Sequence, residues 1–134
     1  MKGSYILLIN LENDQVIRIG KLGDISFNKG FYLYIGSALN GLENRLKRHF
    51  KADKKKHWHI DYFLRYGKII NAYYKESNAK EECDIVNNFE NKLLSIPGFG
   101  CSDCKCKSHL FYEDNSNILN NIDLSSFLIF EDHT

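Results

Sequence analysis

The apolar pattern of the chain changes abruptly from a strand period to a helix period within the stretch GFYLYIGSALNGLENRLKRHF. Tyr32 and Tyr34 lie two residues apart, which places both side chains on one face of a β-strand. Beyond the Gly-Ser pair, large apolar side chains recur every four positions: Leu42, Leu46 and Phe50. That spacing is typical of the buried stripe of an α-helix. The stretch therefore predicts a strand, a turn and a basic helix, with an Asn-Gly pair at the helix start.

Strand and helix patterns are interspersed along the rest of the chain. The β-type patterns cover residues 4–11, residues 15–19, residues 68–75 and SHLFY, and the helical patterns cover HWHIDYFLRYG and residues 79–95. The last helix is expected to bury five apolar residues: Ile85, Val86, Phe89, Leu93 and Leu94. Because a short turn separates the first two strands, we expect them to pair as a hairpin. FLIF near the C-terminus is expected to pack back on the core.

The interspersed pattern predicts one α+β domain over residues 1–134, with a small, mostly antiparallel sheet flanked by helices. A chain of 134 residues is long enough to bury a core of its own. No apolar run is long enough to cross a bilayer, and no signal-peptide core follows Lys2, so we expect a cytoplasmic protein without a membrane partner. Its four cysteines are then expected to be reduced.

Positive charge is concentrated in one part of the sequence. The net charge is only +1, yet seven of the 18 Lys and Arg residues fall between Arg45 and Lys56. No Lys or Arg follows Lys107, whereas five carboxylates do. This distribution predicts one positive face and an acidic tail elsewhere. A solvated helix end and loop is the plainer alternative.

Several short motifs occur in a fixed order: GSY, YIGSAL, RLKRH, HWHIDY, the pair Glu82-Cys83, and FGCSDCKCKSHL. With these motifs the chain resembles the GIY-YIG nuclease superfamily, and within it the branch of Uri-superfamily endonucleases. The resemblance runs from Gly3 to about Tyr112. It implies a GIY-YIG-like fold and the metal-dependent hydrolysis of DNA phosphodiester bonds, with Mg²⁺ or Mn²⁺ as cofactor and DNA repair as the setting. RNA is an alternative substrate.

The resemblance also implies roles for two tyrosines and an arginine. Tyr5 and Tyr34 would be the signature tyrosines on adjacent strands, with Tyr34 positioning or deprotonating the attacking water and Arg45 clamping the scissile phosphate. A phenol is a poor base at neutral pH, so this role requires a cation nearby. Tyr32 is an alternative to Tyr34, and a purely structural buried aromatic is the plainer interpretation of Tyr34. Relative to short family members, the stretch between Tyr5 and Tyr34 is long, which an inserted arm containing QVIRI explains.

The basic helix and the segment after it hold the other candidate ligands of DNA. Arg45 and His49 are four residues apart and share a helix face, so we expect His49 to assist catalysis. Arg48 is expected to point elsewhere, toward a backbone phosphate or solvent. The candidate nucleic-acid-binding residues are Arg48, Lys51, Lys54, Lys55, Lys56 and Trp58.

HWHIDY is the most unusual local string. His57 and Asp61 are four residues apart, which predicts an oriented imidazole that assists catalysis, with His59 as the alternative to His57. Trp58 would be a stacking platform for an unpaired base. The plainer alternative is a capped helix start with Trp58 in the core.

Glu82 is the predicted metal ligand. It lies in line with Ile85 and Val86 on the buried side of its helix, where a carboxylate is costly unless it is paired or bound to metal. Mg²⁺ prefers oxygen ligands and keeps most of its waters, so one carboxylate can hold it. Glu90 is the second candidate, and an ion pair between Glu82 and Arg45 is the structural alternative.

Four residues of the cysteine-rich loop are of types that bind zinc: Cys101, Cys104, Cys106 and His109. Their spacing argues against a site made of these four, because structural zinc sites usually combine two well-separated halves of the chain. We therefore expect the loop to shape the cleft, with the cysteines as small buried residues.

Two other functions compete with hydrolysis. The first is a nucleic-acid-binding module with a relic GIY-YIG site, in which the basic stretch supplies affinity that falls with salt. The second is a structural or protein-interaction domain, which the near-neutral net charge favours.

Overall fold

The computed structural model of the chain describes residues 2–38, 40–77, 82–89, 92–101, 106–121 and 123–131. The strands within these residues are β1 (Gly3–Leu11), β2 (Gln15–Arg18), β3 (Asp24–Phe27), β4 (Gly30–Ala38), β5 (Lys68–Glu76), β6 (Leu94–Ser95), β7 (Leu110–Glu113) and β8 (Leu128–Phe130). The α-helices are α1 (Leu42–Phe50), α2 (His59–Phe63) and α3 (Glu82–Asn87). Short 3₁₀ helices cover Gly20–Leu22 and Ser116–Asn121.

The main sheet has six strands in the order β6-β7-β4-β1-β5-β8, and every neighbouring pair is antiparallel. This arrangement confirms the predicted α+β class with its mostly antiparallel sheet. In the described part of the chain, no helix is long and apolar enough to span a membrane.

Strand β1 is the centre of the sheet, and both of its faces are buried. Tyr5, Leu7 and Ile9 belong to one apolar cluster, and Ile6 and Leu8 belong to another on the opposite face. Burial on both sides explains why β1 reads as a nearly continuous apolar run, since alternate residues of a strand point to opposite faces.

Different elements cover the two faces. The first face packs against α1, α2 and the arm formed by β2 and β3, through apolar side chains: Ile17, Phe27, Leu42, Leu46, Ile60 and Phe63. The second face packs against α3 and the 3₁₀ helix at Ser116–Asn121, through Val86 and Ile118. The helix with the cluster of basic residues and the helix that begins at Glu82 therefore lie on opposite faces of the sheet.

The strand-turn-helix prediction is confirmed, with one change in the buried stripe. Gly41 has φ +66°, a left-handed conformation that suits glycine, and α1 begins at the next residue. Leu42 and Leu46 are buried as expected, but the third fully buried residue of α1 is His49. Phe50 is only half-buried and packs against Phe130.

The predicted hairpin between residues 4–11 and 15–19 is wrong. Strand β2 pairs with β3 in a separate two-stranded sheet, while β4 and β5 occupy the two edges of β1. Pairing with β3 lets the arm bury Ile17 and Phe27 against the first face. The expected inserted arm is thus present, but it does not extend the main sheet.

The predicted helix over residues 79–95 is too long at its C-terminal end. Helix α3 ends at Asn87, and Leu94 belongs to β6, where its side chain is 71 % exposed. Residues 78–81 and 90–91 lie outside the described residues. Strand β6 pairs with the edge of β7, and this tertiary hydrogen bonding overrides the local helical pattern.

Candidate functional site

Gly36 of β4 makes room for the ring of Tyr5. The two residues are direct partners in the β1–β4 register, and a Cβ atom at position 36 would overlap the Tyr5 ring. The missing side chain lets this ring lie across β4 and reach α1. The glycine of the YIG motif is therefore required by the close approach of a tyrosine from the GSY motif.

Three polar rings meet where β1, β4 and α1 converge. The Tyr5 Oη and the His49 Nε2 are 2.7 Å apart, a hydrogen-bonding distance. The ring of Tyr34 lies 6.3 Å from the ring of Tyr5 and 6.4 Å from that of His49, measured between centroids. We call Tyr5, Tyr34 and His49 the phenol–imidazole cluster. The structure thus brings together three of the predicted catalytic residues.

The cluster is largely shielded from solvent. Tyr5 is 2 % exposed and Tyr34 is 8 % exposed, so Tyr34 is the more accessible phenol. Tyr32, the alternative to Tyr34, donates its hydroxyl to the Asn28 carbonyl at 2.6 Å. Burial raises the pKa of Tyr32 well above its usual value, so this phenol is not suited to accept a proton from water.

His49 is neutral at physiological pH. Burial lowers the pKa of His49 to about 3; Asp61 opposes this shift, and the cations Lys54, Arg48 and Arg45 reinforce it. Its Nδ1 atom is buried and has no hydrogen-bond partner within the described residues. A buried nitrogen without a partner costs about 1–3 kcal/mol, so this ring edge favours a polar group that can reach it.

The side chain of Arg45, a residue of α1, reaches the C-terminal end of β4. One of its Nη atoms donates to the Ser37 carbonyl, and its Cζ atom is 4.7 Å from the centroid of the Trp58 ring. The Arg48 Cζ atom is 4.5 Å from the same centroid. Two guanidinium groups therefore stack on one indole, which restrains both side chains.

Arg48 does not point to solvent as predicted. Its two Nη atoms donate to the two carboxylate oxygens of Asp61, at 2.9 and 3.0 Å. Asp61 is the one fully buried carboxylate in the described part of the chain, and a buried carboxylate needs such a partner. Burial acts to raise the pKa of Asp61, but the hydrogen bonds from Arg48 and from backbone N–H groups lower it below its usual value.

The predicted orientation of the His57 imidazole by Asp61 is also absent. An Asp61 oxygen accepts the backbone N–H groups of His57 and Trp58, at 2.8 and 2.9 Å, and so caps α2. The His57 ring packs against the Trp58 ring instead. Trp58 is half-buried against the first core cluster, which is the plainer alternative that we considered.

The lysines after α1 divide into two groups. Lys54 donates to the carbonyl groups of His49 and Lys51 at the end of the helix, which gives it a structural role. Burial lowers its pKa. Lys51, Lys55 and Lys56 are exposed.

An open cleft of about 800 Å³ lies beside these residues. Its lining includes two cationic side chains and two imidazoles: Arg18, Lys21, His57 and His59. Among the described residues that line it there is no carboxylate. We call this feature the basic cleft. His57 is a predicted assisting residue and His59 its alternative, whereas Arg18 and Lys21 were missed because nothing in the arm sequence indicates a ligand.

Aromatic side chains separate the basic cleft from the phenol–imidazole cluster. Phe99 lies 5.7 Å from the His59 ring and 6.1 Å from the Tyr34 ring, between centroids. His59 accepts the Gly100 N–H on its Nδ1 at 2.8 Å, and burial lowers its pKa. The cleft and the cluster are therefore neighbours in one region of the first face.

Glu82 is a predicted site residue whose side chain lies outside the described residues. Helix α3 begins at Glu82 and packs on the second face, and the side chain of Glu90 also lies outside the described residues. Around the phenol–imidazole cluster, the oxygens of Asp61 are already occupied by Arg48 and two backbone N–H groups. The described residues there do not fit a Mg²⁺ site, and Glu82 stays a prediction.

Comparisons with known proteins identify one family. The family model of the domain of unknown function DUF123 matches residues 4–127. No curated protein and no solved structure matched the chain significantly.

Proposed function

The chain belongs to the family of the domain of unknown function DUF123, and from that premise we propose that it is a GIY-YIG-type endonuclease that hydrolyses DNA phosphodiester bonds. One observation carries the proposal: Tyr5, Tyr34 and His49 come from three separate elements and converge beside Arg45. The hydrogen-bonding distance of 2.7 Å between Tyr5 and His49 is the closest link in this group. Polar side chains that converge from separate elements support a site more strongly than a lone YIG motif does.

In this proposal Tyr34 orients the attacking water, because it is the more exposed of the two phenols. Tyr5 and His49 are joined by a hydrogen bond, and their rings pack near Tyr34 and hold it in position. A histidine with a pKa of about 3 is protonated in only about one molecule in ten thousand at pH 7. Neutral His49 therefore orients the Tyr5 phenol through this hydrogen bond.

Arg45 binds the phosphate. A guanidinium has five N–H donors, and half-buried Arg45 uses one Nη on the Ser37 carbonyl while the Trp58 ring restrains the group. A planar fork of this kind suits two oxygens of one phosphate. The basic cleft and the exposed lysines Lys51, Lys55 and Lys56 then bind the neighbouring backbone phosphates.

The resemblance to GIY-YIG nucleases also implies Mg²⁺ or Mn²⁺. When bound, such an ion would neutralise charge on the phosphate and activate water. Since the described residues near the cluster do not offer it a carboxylate, the roles above do not involve the metal. The experiment therefore also measures whether cleavage depends on Mg²⁺ or Mn²⁺.

The test is cleavage of plasmid DNA and of labelled single- and double-stranded oligonucleotides by the purified chain, with Mg²⁺, with Mn²⁺ and with EDTA. Tyr34→Phe and Arg45→Ala should abolish cleavage. Tyr32→Phe is the matched control, because it removes a hydroxyl from the same face of the same strand and should keep activity. If the Tyr34→Phe and Arg45→Ala variants both still cleave DNA, the proposal is rejected.

The low exposure of Tyr5 and Tyr34 favours a second candidate function, a nucleic-acid-binding module without hydrolysis. In that case DNA or RNA would bind with strong salt dependence, and none of the metal conditions would yield product. Absence of both binding and cleavage would leave neither function standing.

A further inference from the structure

Three residues with metal-binding side chains meet on the side of the sheet away from the Arg48–Asp61 pair. The thiol sulfurs of Cys83 and Cys106 and a ring nitrogen of His109 all lie within 4.8 Å of one another. Cys83 belongs to α3, and the other two belong to the segment that leads into β7. The cluster therefore joins two parts of the chain that are far apart in sequence.

A backbone carbonyl fixes the tautomer of His109. Its Nδ1 lies 3.0 Å from the Ile35 carbonyl oxygen, which only accepts hydrogen bonds, so Nδ1 carries the proton. In the neutral ring the lone pair is then on Nε2. A backbone carbonyl that fixes the tautomer in this way is the usual outer partner of a metal-bound histidine.

The backbone around His109 is also anchored. Its N–H donates to the Phe99 carbonyl at 2.8 Å, and its own carbonyl accepts the Ile35 N–H at 3.0 Å. His109 is 2 % exposed, while Cys83 and Cys106 are half-buried. One ligand is thus rigid, and the two sulfurs are near enough to solvent to receive an ion.

From this geometry we propose that Cys83, Cys106 and His109 bind one Zn²⁺ ion, with a water molecule as its fourth ligand, and that the ion links α3 to the segment before β7. Thiolate and imidazole ligands select zinc and disfavour Mg²⁺. Tetrahedral zinc with Zn–S bonds of about 2.3 Å places its ligand atoms roughly 3.5–3.8 Å apart. Atoms already within 4.8 Å reach that spacing by small rotations of the side chains.

The cluster also answers the objection raised by spacing alone. A zinc site made only of residues from Cys101 to His109 would lack a ligand from a distant part of the chain. Helix α3 supplies such a ligand, Cys83. Cys101 is not a member of the cluster and donates to the Phe99 carbonyl. Cys104 lies outside the described residues.

The ion explains how α3 is kept in place. A helix of six residues is not stable by itself and needs tertiary contacts to hold it in place. A zinc ion that links Cys83 to the segment before β7 would hold α3 on the second face. The binding free energy of a structural zinc contributes directly to folding.

The experiment measures metal in the full-length chain, purified without chelators and with any affinity tag removed. Elemental analysis should find about one zinc per chain in the wild type and in the matched control Cys101→Ser. Cys83→Ser and Cys106→Ser should lose it. Removing zinc with a chelator should lower the midpoint of thermal unfolding of the wild type and of Cys101→Ser.

Cobalt keeps the proposal testable if the cysteine variants fail to fold. Wild-type protein reloaded with Co²⁺ should show thiolate-to-cobalt charge-transfer absorption, and added Zn²⁺ should abolish that absorption. Substoichiometric zinc with no cobalt–thiolate band overturns the proposal, as does zinc that Cys83→Ser retains in full. A disulfide between Cys83 and Cys106 in the native chain, detected by mass spectrometry, also overturns it.

Discussion

The phenol of Tyr5 and the imidazole of His49 lie within hydrogen-bonding distance, Oη to Nε2 at 2.7 Å, although the two residues are 44 positions apart. Both side chains are buried at the junction of β1 and α1. This contact ties the central strand to the basic helix.

Tyr5→Phe should destabilise the protein without changing its fold. The variant keeps the ring but leaves His49 without its hydrogen-bond partner, which costs about 1–3 kcal/mol in the free energy of unfolding. Urea denaturation measures that loss. The nitrogen resonances of the His49 ring should shift in Tyr5→Phe and stay unchanged in Tyr32→Phe; identical shifts in the two variants would contradict the contact.

Stability should fall as the pH drops below about 6.5. Unfolded histidine binds a proton near that pH, whereas folded His49 stays neutral down to a pKa of about 3, so the unfolded state binds more protons in between. The free energy of unfolding should decrease by up to about 1.4 kcal/mol per pH unit from this residue.

Denaturation at pH 7, 6 and 5 checks this, with His49→Gln as the variant that flattens the profile. His59→Gln should flatten it to a smaller degree, since burial lowers the pKa of His59 as well. Asp61 has its lowered pKa in a more acidic range and does not account for a loss between pH 6.5 and 5. An unchanged slope in His49→Gln would show that His49 is already charged in the folded protein.

Gly36→Ala should be costly because of a specific neighbour. The added methyl group overlaps the Tyr5 ring, and overpacking of a core typically costs about 1–3 kcal/mol. The double variant Gly36→Ala/Tyr5→Ala should cost less than the sum of the single variants, since the clash is then absent. Additive costs in that cycle would mean that the two residues do not collide.

Arg48→Ala should be far more destabilising than removal of a surface cation. It leaves the carboxylate of Asp61 buried without its ionic partner, which costs about 3 kcal/mol or more. Lys47→Ala breaks only the exposed pair with Glu43 on the same helix and should cost at most about 0.5 kcal/mol. Thermal and urea unfolding of the two variants should separate them clearly; equal costs would refute a structural role for Arg48.

Arg18→Ala and Lys21→Ala should weaken nucleic-acid binding if the basic cleft follows the phosphate backbone. Each substitution should reduce the slope of log affinity against log salt by about one, without a change in sequence preference. Fluorescence anisotropy at several salt concentrations measures this slope. The control is Lys68→Ala, an exposed lysine of β5 that does not line the cleft; a similar loss there would indicate only non-specific charge attraction.

Local periodicity was enough to identify the main elements. The run SYILLINL, the Tyr32–Tyr34 alternation and the four-residue recurrence after Gly41 predicted β1, β4 and α1 close to their observed bounds. These patterns are readable because each reflects one buried face of one element. They do not indicate which strands pair. For that reason β2 was predicted to pair with β1, whereas it pairs with β3.

The amino-acid sequence by itself determined the α+β class, the strand-turn-helix unit and the residue types that a phosphate site needs. Tertiary structure alone decided that Tyr5 meets His49, that Arg48 is committed to Asp61, and that Cys83 joins Cys106 and His109. The physical reason is that a buried polar group takes whichever partner the packing of distant elements brings within hydrogen-bonding distance. Sequence spacing predicts which residues are neighbours within one helix or strand, but it does not predict which residues meet across the core.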